Sequence, residues 1–154
     1  MTKTLAALLA LAFAGAAHAQ ITGVVVGVPD GDTLSVRVDR QVLNLDLRSI
    51  DAPEIGQPYG AEARDSLAAL CADRTVKLDE LGIDTGRRII GEAECDGVDA
   101  SEEQVKRGLA WTAKRKRRDV ELETLQAQAQ SDRRGLWQEA TPVPPWEWSA
   151  KLTQ

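Results

Sequence analysis

Two short acidic segments carry the chemistry that this chain is equipped to perform. Asp30-Gly31-Asp32-Thr33 sets two carboxylates around a glycine, and Asp51-Ala52-Pro53-Glu54 sets two more around a proline. The glycine admits a tight turn and a close approach of other groups, and Pro53 stiffens its segment. Four acidic side chains brought to one place repel each other unless a cation sits among them. Hard divalent cations take carboxylate and backbone carbonyl oxygens. Asp32, Asp51 and the carbonyl of Ala52 are the natural ligand set, with Asp30 beside them. A cation held this way suits attack on an anionic ester, because it offsets the charge that keeps a hydroxide away. Each segment has an ordinary reading when taken alone. Asp-Gly-Asp is a common hairpin turn, and Asp-Ala-Pro-Glu has the form of a helix N-cap. Their conjunction is what points to a site.

The rest of the composition narrows the chemistry. The sole histidine, His18, lies in an N-terminal stretch that reads as an export signal: Lys3, an apolar Ala-rich run from Leu5 to Ala17, and a small-x-small site at Ala17-His18-Ala19. The run is shorter than the roughly 20 apolar residues of a membrane span, although an uncleaved anchor is the alternative. Cleavage would leave a mature chain from Gln20 to Gln154, periplasmic or secreted, with no membrane partner. That chain would hold no imidazole, which excludes Ser-His-Asp and Cys-His catalysis and histidine-bound zinc. Carboxylates would have to do the acid–base work, and an oxygen-bound ion, calcium or magnesium, would be the metal. Cys71 and Cys95 are the only cysteines. Export favours one disulfide between them, with two buried thiols as the other reading. The formal charge of −5 becomes −6 without Lys3, which works against bulk attraction to nucleic acid. Lys114-Arg115-Lys116-Arg117-Arg118 is a local exception that suits phosphate contacts, or simply a solvated loop between helices.

The elements that must position these residues follow from periodicity. Ile21 to Val28 is β-branched and ends at the Pro29-Asp30-Gly31-Asp32 turn. Thr33 to Asp39 and Val42 to Ile50 alternate apolar and polar residues, as half-buried strands do. A meander of these three strands puts the first turn and the far end of the third strand at the same end of the sheet. A helix is expected from about Gly60 to Ala72, packing through Ala61, Leu67, Ala68 and Leu70. Further strands are expected at Thr75–Leu78 and Arg88–Cys95, the second following an Asp84-Thr85-Gly86 turn. A short helix should open at Ser101 and close at Gly108. A longer one should run from Asp119 to Arg133 and pack through Val120, Leu122, Leu125, Ala127 and Ala129, with Gly135 stopping it. Thr141 to Trp148 reads as an extended Pro/Trp tail pressed on the body. The pattern is that of an α+β protein. A five-stranded Greek-key barrel of the OB type is the first choice, and another α+β sheet is the second. The expected division is a signal at 1–19, one domain at 20–140 and the tail at 141–154.

With these segments in order, the sequence resembles the thermonuclease family, the proteins similar to staphylococcal nuclease. The resemblance rests on Asp30-Gly31-Asp32-Thr33, Ile50-Asp51-Ala52-Pro53-Glu54, Gln57-Pro58-Tyr59-Gly60, Arg87-Arg88 with Gly91 and Asp96-Gly97, Arg107-Gly108-Leu109-Ala110-Trp111, Gly135-Leu136-Trp137 and Pro144-Pro145-Trp146. It spans nearly all of the mature chain. It implies an OB-fold barrel with three helices and calcium-dependent hydrolysis of DNA and RNA phosphodiesters. It also implies that Asp32, Asp51 and the Ala52 carbonyl bind calcium, that Glu54 activates or positions the attacking water, and that Arg88 grips the scissile phosphate. Arg87 is the fallback for Arg88, because the family tyrosine is missing from 84–88 and the glycine is shifted. Tyr59 is a candidate for base stacking, Lys114 and Arg115 are candidates for contact with the strand, and the enzyme is expected to act as a monomer.

One departure stands out. The family carries a second catalytic arginine five residues before the Asp51 position, and here that residue is Asp46. Removing a donor of this kind typically costs about a hundred- to a thousandfold in rate. Arg48 lies two residues on, roughly 6.6 Å along a strand, and alternation puts it on the same face as Asp46. Arg48 is therefore a candidate substitute. The competing reading is an OB module that binds nucleic acid or a protein with weakened catalysis or none.

Overall fold

The computed structural model describes residues 21–83, 88–113 and 119–152. The N-terminal stretch read as an export signal, with His18, residues 84–86, Arg87, and the basic block with Lys114 and Arg115 lie outside the described residues.

β1 (Ile21–Gly27), β2 (Thr33–Val38) and β3 (Gln41–Leu47) form the expected antiparallel meander. After a two-residue β4 (Ile50–Asp51) and the helix α1 (Gly60–Cys71), β5 (Thr75–Ile83) returns antiparallel to β1. β6 (Ile89–Cys95) then pairs antiparallel with β5 and parallel with β3. That last pairing closes the order β3-β2-β1-β5-β6 into a five-stranded mixed barrel, the OB-type architecture. The small β7 (Val98–Asp99) extends β6 and leads into α2 (Ala100–Lys106). β8 (Trp111–Thr112) pairs with β4, and α3 (Val120–Ser131), a 3₁₀ turn (Gly135–Gln138) and α4 (Pro145–Leu152) follow.

The barrel fills with the apolar residues of the alternating strands: Val25, Leu34, Val36, Leu45, Leu47, Val76 and Leu78 are all buried. Leu67 of α1, Val105 of α2 and Leu122 of α3 join the same cluster. The carboxylates of Asp99 and Asp119 accept from the backbone N–H of Glu102 (2.8 Å) and Leu122 (3.1 Å), which fixes where α2 and α3 begin. Cys71 and Cys95 are joined in a disulfide with Cα atoms 5.3 Å apart, tying the end of α1 to the end of β6.

Several expectations need correction. The tail from 145 is not extended but helical. Pro145 sits at the first helical position, where its missing N–H leaves nothing unsatisfied, and the N–H groups of Glu147 and Trp148 donate to the Pro144 carbonyl. The described residues therefore hold four α-helices rather than three. Ala61, Val120 and Ala127 face solvent; α1 packs through Gly60, Ala63, Leu67 and Cys71, and α3 through Leu122 and Ala129. β5 runs past Leu78 to Ile83, because an irregularity between Asp79 and Gly82 lets the ladder continue where the apolar alternation stops. The third strand ends at Leu47 rather than Ile50. Ser49 turns the chain with φ of 68°, so alternation cannot be carried through Arg48. Among the described residues, no helix is long and apolar enough to cross a membrane.

Candidate active site

The β1–β2 turn and the end of β3 meet as the meander requires. The backbone N–H of Leu47 donates to the Asp32 carbonyl (2.7 Å), and the N–H of Ala52 donates to Oδ2 of Asp32 (2.7 Å). The second bond joins the two acidic segments directly. Oδ1 of Asp30 accepts from the Asp32 N–H (3.2 Å), which shapes the turn. Gly31 is needed here for space. A Cβ on it would come within 2.6 Å of the Ala63 Cβ and 2.7 Å of the Ala52 Cβ. The turn is thus wedged between α1 and the second acidic segment.

Two glutamines hold this arrangement; Gln57 stands in one of the family-like segments, but the sequence assigns a role to neither. Gln104 of α2 is 1 % exposed, and its Nε2 donates to the carbonyls of Gly31 (2.7 Å) and Ala63 (2.9 Å). It pins the Asp30–Asp32 turn to the helices beneath. Gln57 is 7 % exposed and accepts through Oε1 from the Glu54 N–H (3.2 Å), while its own N–H donates to the Glu54 carbonyl (2.8 Å). The loop closes tightly because Gly60 lies against Glu54; a Cβ there would fall 1.9 Å from the Glu54 carbonyl oxygen. A buried amide on a helix or in a loop has no periodic signature. Only the contacts reveal its role.

The two segments line a cleft of about 400 Å³ with Asp30, Asp32, Asp46, Asp51, Glu54 and Arg88 around it. Arg88 reaches it because β6 begins alongside β3, pairing Leu45 with Ile89 and Asp46 with Ile90. Its Nη1 contacts Oδ2 of Asp46 at 2.8 Å, with the Arg88 side chain 66 % exposed and that of Asp46 21 %. Thr33 Oγ1 makes a long contact with the other Asp46 oxygen (3.5 Å). Burial holds the Asp32 carboxyl well above the ordinary carboxylate range; the Ala52 N–H pulls it partly back, and the charges of Asp30 and Asp51 push it further up. A carboxyl raised by folding stabilises the fold most when protonated. That contribution is lost as pH rises from the unfolded value through the folded one.

Among the described residues, no three carboxylates are gathered closely enough to hold an ion by themselves. The donor set nonetheless fits a hard cation. The acidic groups lining the cleft offer only oxygen, and Asp32 carries an electrostatic penalty that a cation would relieve. Ions of this class complete their shell with carbonyls, water and substrate phosphate.

The other sequence candidates are placed differently. Arg48 is not among the residues lining the cleft; its Nη2 lies 3.7 Å from where a Cβ on Gly82 would stand. Tyr59 caps α1 with a left-handed φ of 66° and packs on the cluster of Ala129, Leu136 and Trp137, away from the acidic wall. Trp111 pairs with Asp51 in the β4–β8 ladder and packs edge-on to Trp137 (4.3 Å) and Trp146 (5.8 Å). These three tryptophans pack on one another.

Comparison with known proteins agrees with the geometry. Residues 44–139 match the family model described as staphylococcal nuclease homologue. The chain is 40 % identical over 131 residues to an uncharacterized endonuclease of Escherichia coli, covering 84 % of this chain and 86 % of that protein. It is 36 % identical to protein ParB of Escherichia coli, covering 96 % of this chain and 90 % of that one. A micrococcal nuclease of Shigella flexneri is 31 % identical, with 95 % of this chain and 90 % of that one covered.

Proposed function

The chain belongs to the staphylococcal nuclease family, and from that premise we propose that it is an exported, calcium-dependent nuclease that hydrolyses DNA and/or RNA phosphodiester bonds. The observation that carries this reading is the bond from the Ala52 N–H to Asp32 Oδ2 at 2.7 Å. It fastens both acidic segments into one wall of a cleft that Arg88 also lines.

Asp32, Asp51 and the Ala52 carbonyl would hold the calcium, with Asp30 adding charge beside them. Once bound, the cation supplies positive charge to an anionic substrate and to an attacking hydroxide. Glu54 is the carboxylate placed to take the proton of the attacking water. Its backbone is gripped on both sides by Gln57, so the base stands at a fixed place in the wall. Arg88 binds the scissile phosphate, whose oxygens a guanidinium matches with two parallel hydrogen bonds. Arg87, Lys114 and Arg115 are proposed as further contacts along the strand. The enzyme acts outside the cytoplasm, in a periplasm or beyond the cell.

Asp46 gives the second reading its footing. It puts a carboxylate where the family has an arginine, and it engages Arg88 at the edge of the cleft. A slow nuclease, or a module that binds without cutting, follows from it. One assay separates these readings: degradation of plasmid DNA and of RNA by the mature protein, with calcium and with a chelator, beside Glu54→Gln. We expect calcium-dependent cleavage that falls by about 10²–10⁴-fold in the variant. Cleavage that ignores the chelator, or that is equal in Glu54→Gln, refutes a calcium-dependent mechanism with Glu54 as its base.

A further inference from the structure

The last dozen described residues lie beyond the stretch matched by the family model, which ends at residue 139. They nevertheless contact two residues that back the acidic wall, Gln57 and Trp111. Nε2 of Gln57 donates to the Val143 carbonyl at 2.5 Å, across 86 residues of sequence. The same side chain's Oε1 accepts from the Glu54 N–H. One buried amide therefore links the backbone of the proposed base to the tail. The second contact is made by Trp146, whose ring packs edge-on to Trp111 at 5.8 Å. Trp111 is the residue paired with Asp51 in the β4–β8 ladder. The tail thus backs Glu54 through an amide and Asp51 through an indole.

The packing behind these contacts is tight. Pro144 and Pro145 are buried, and the crevice between the tail and the loop, bounded by Pro53, Gln57, Tyr59, Val143 and Trp148, measures only about 40 Å³. The tail packs closely on the loop that carries Glu54.

We propose that the Pro/Trp segment 141–148 is part of the active-site scaffold, with Gln57 and Trp146 as positioning residues that hold Glu54 and Asp51 in the cleft wall. The inference rests on the assignment of Glu54 and Asp51 to the reaction. A side chain fixed from behind costs less to align in the transition state. Loss of the support therefore shows in turnover more than in substrate binding.

The test compares Gln57→Ala and Trp146→Ala with the full-length mature protein and with Glu54→Gln, measuring kcat and KM on one oligonucleotide and the unfolding midpoint of each. We expect kcat to fall about tenfold or more in each positioning variant, KM to stay within about twofold, and both proteins to stay folded at the assay temperature. The double variant should lose less than the product of the two single losses, since both act on one loop. Wild-type kcat in a folded Trp146→Ala or Gln57→Ala overturns the proposal, as does a change confined to KM. If instead Glu54→Gln cleaves like wild type, the assignment of the base has failed, which is a different result. A chain ended at residue 140 is the harsher variant; should it unfold, the two point variants still decide.

Discussion

Asp32 and Arg88 line one cleft and are held in different ways. Asp32 is half-buried, receives the Ala52 N–H, and stands on a turn that Gln104 pins to the helix α1. Arg88 is about two-thirds exposed at the start of β6 and is met by the carboxylate of Asp46. The main chain of the acidic wall is anchored as a core is, by the buried amides of Gln57 and Gln104, while its carboxylates are half-buried or exposed. The cationic edge is built like a surface. Groups that collect like charge must be forced together by the fold, because left to themselves they separate. A single guanidinium needs no such force, since both a carboxylate and a phosphate attract it. The acidic wall spends fold stability on charge, and the edge does not.

If that contrast is right, the largest effect on activity belongs to Asp32→Asn. Removing this charge should cost at least the ~10²–10³-fold typical of a lost electrostatic group. The same change should stabilise the calcium-free protein at neutral pH. Folding raises the Asp32 carboxyl, so ionising it above that range weighs against the fold, and the neutral amide escapes this. Thermal unfolding from about pH 4 to 8 with chelator checks the sign. The gap between variant and wild type should widen as pH rises, and a variant less stable than wild type at neutral pH would contradict the picture of a strained acidic wall.

Arg88→Ala should come next, slowing cleavage by about 10²–10³-fold with an unfolding midpoint within a few degrees of wild type. Exposed ion pairs contribute only about 0.2–1 kcal/mol. Loss of fold in this variant would mean that the edge is as structural as the wall. Removal of the Cys71–Cys95 link acts on the whole barrel. Its 24-residue separation corresponds to about 3 to 4 kcal/mol by the chain-entropy argument. Cys71→Ser with Cys95→Ser should therefore lower the midpoint by roughly 10 °C, yet retain calcium-dependent cleavage in the cold.

The same contrast explains what the sequence disclosed. The barrel was legible because Leu34 and Val36, and Leu43, Leu45 and Leu47, sit at period-two spacing on strands with one buried face. The meeting of Asp32 with the Ala52 segment followed from meander geometry alone. The bonds of Gln104 and the bond of Gln57 to the tail were not legible, because they reach partners 41 to 86 residues away. Arg48 misled because the alternation that recommended it stops at the Ser49 turn, which no apolar pattern marks. The tail misled because Pro144-Pro145 reads as a break, whereas prolines at a helix start cost it nothing.

The smallest effect, and the finest test of the contrast, is Asp46→Asn. In the wild type a substrate phosphate approaches a guanidinium already engaged by a carboxylate 2.8 Å away. The amide removes the competing charge but keeps the shape and a hydrogen-bonding oxygen. Because the pair is partly exposed, the competition is worth no more than about 1 kcal/mol, which is about fivefold in kcat/KM. Asp46→Asn should therefore be slightly faster, by up to that factor, with the gain in KM and with steeper inhibition by salt as phosphate attraction grows. A fall in kcat instead would mean that Asp46 braces Arg88 as Gln57 braces Glu54. The cationic edge would then be as firmly built as the acidic wall, and exposure alone would be a poor guide to which half of this cleft is held.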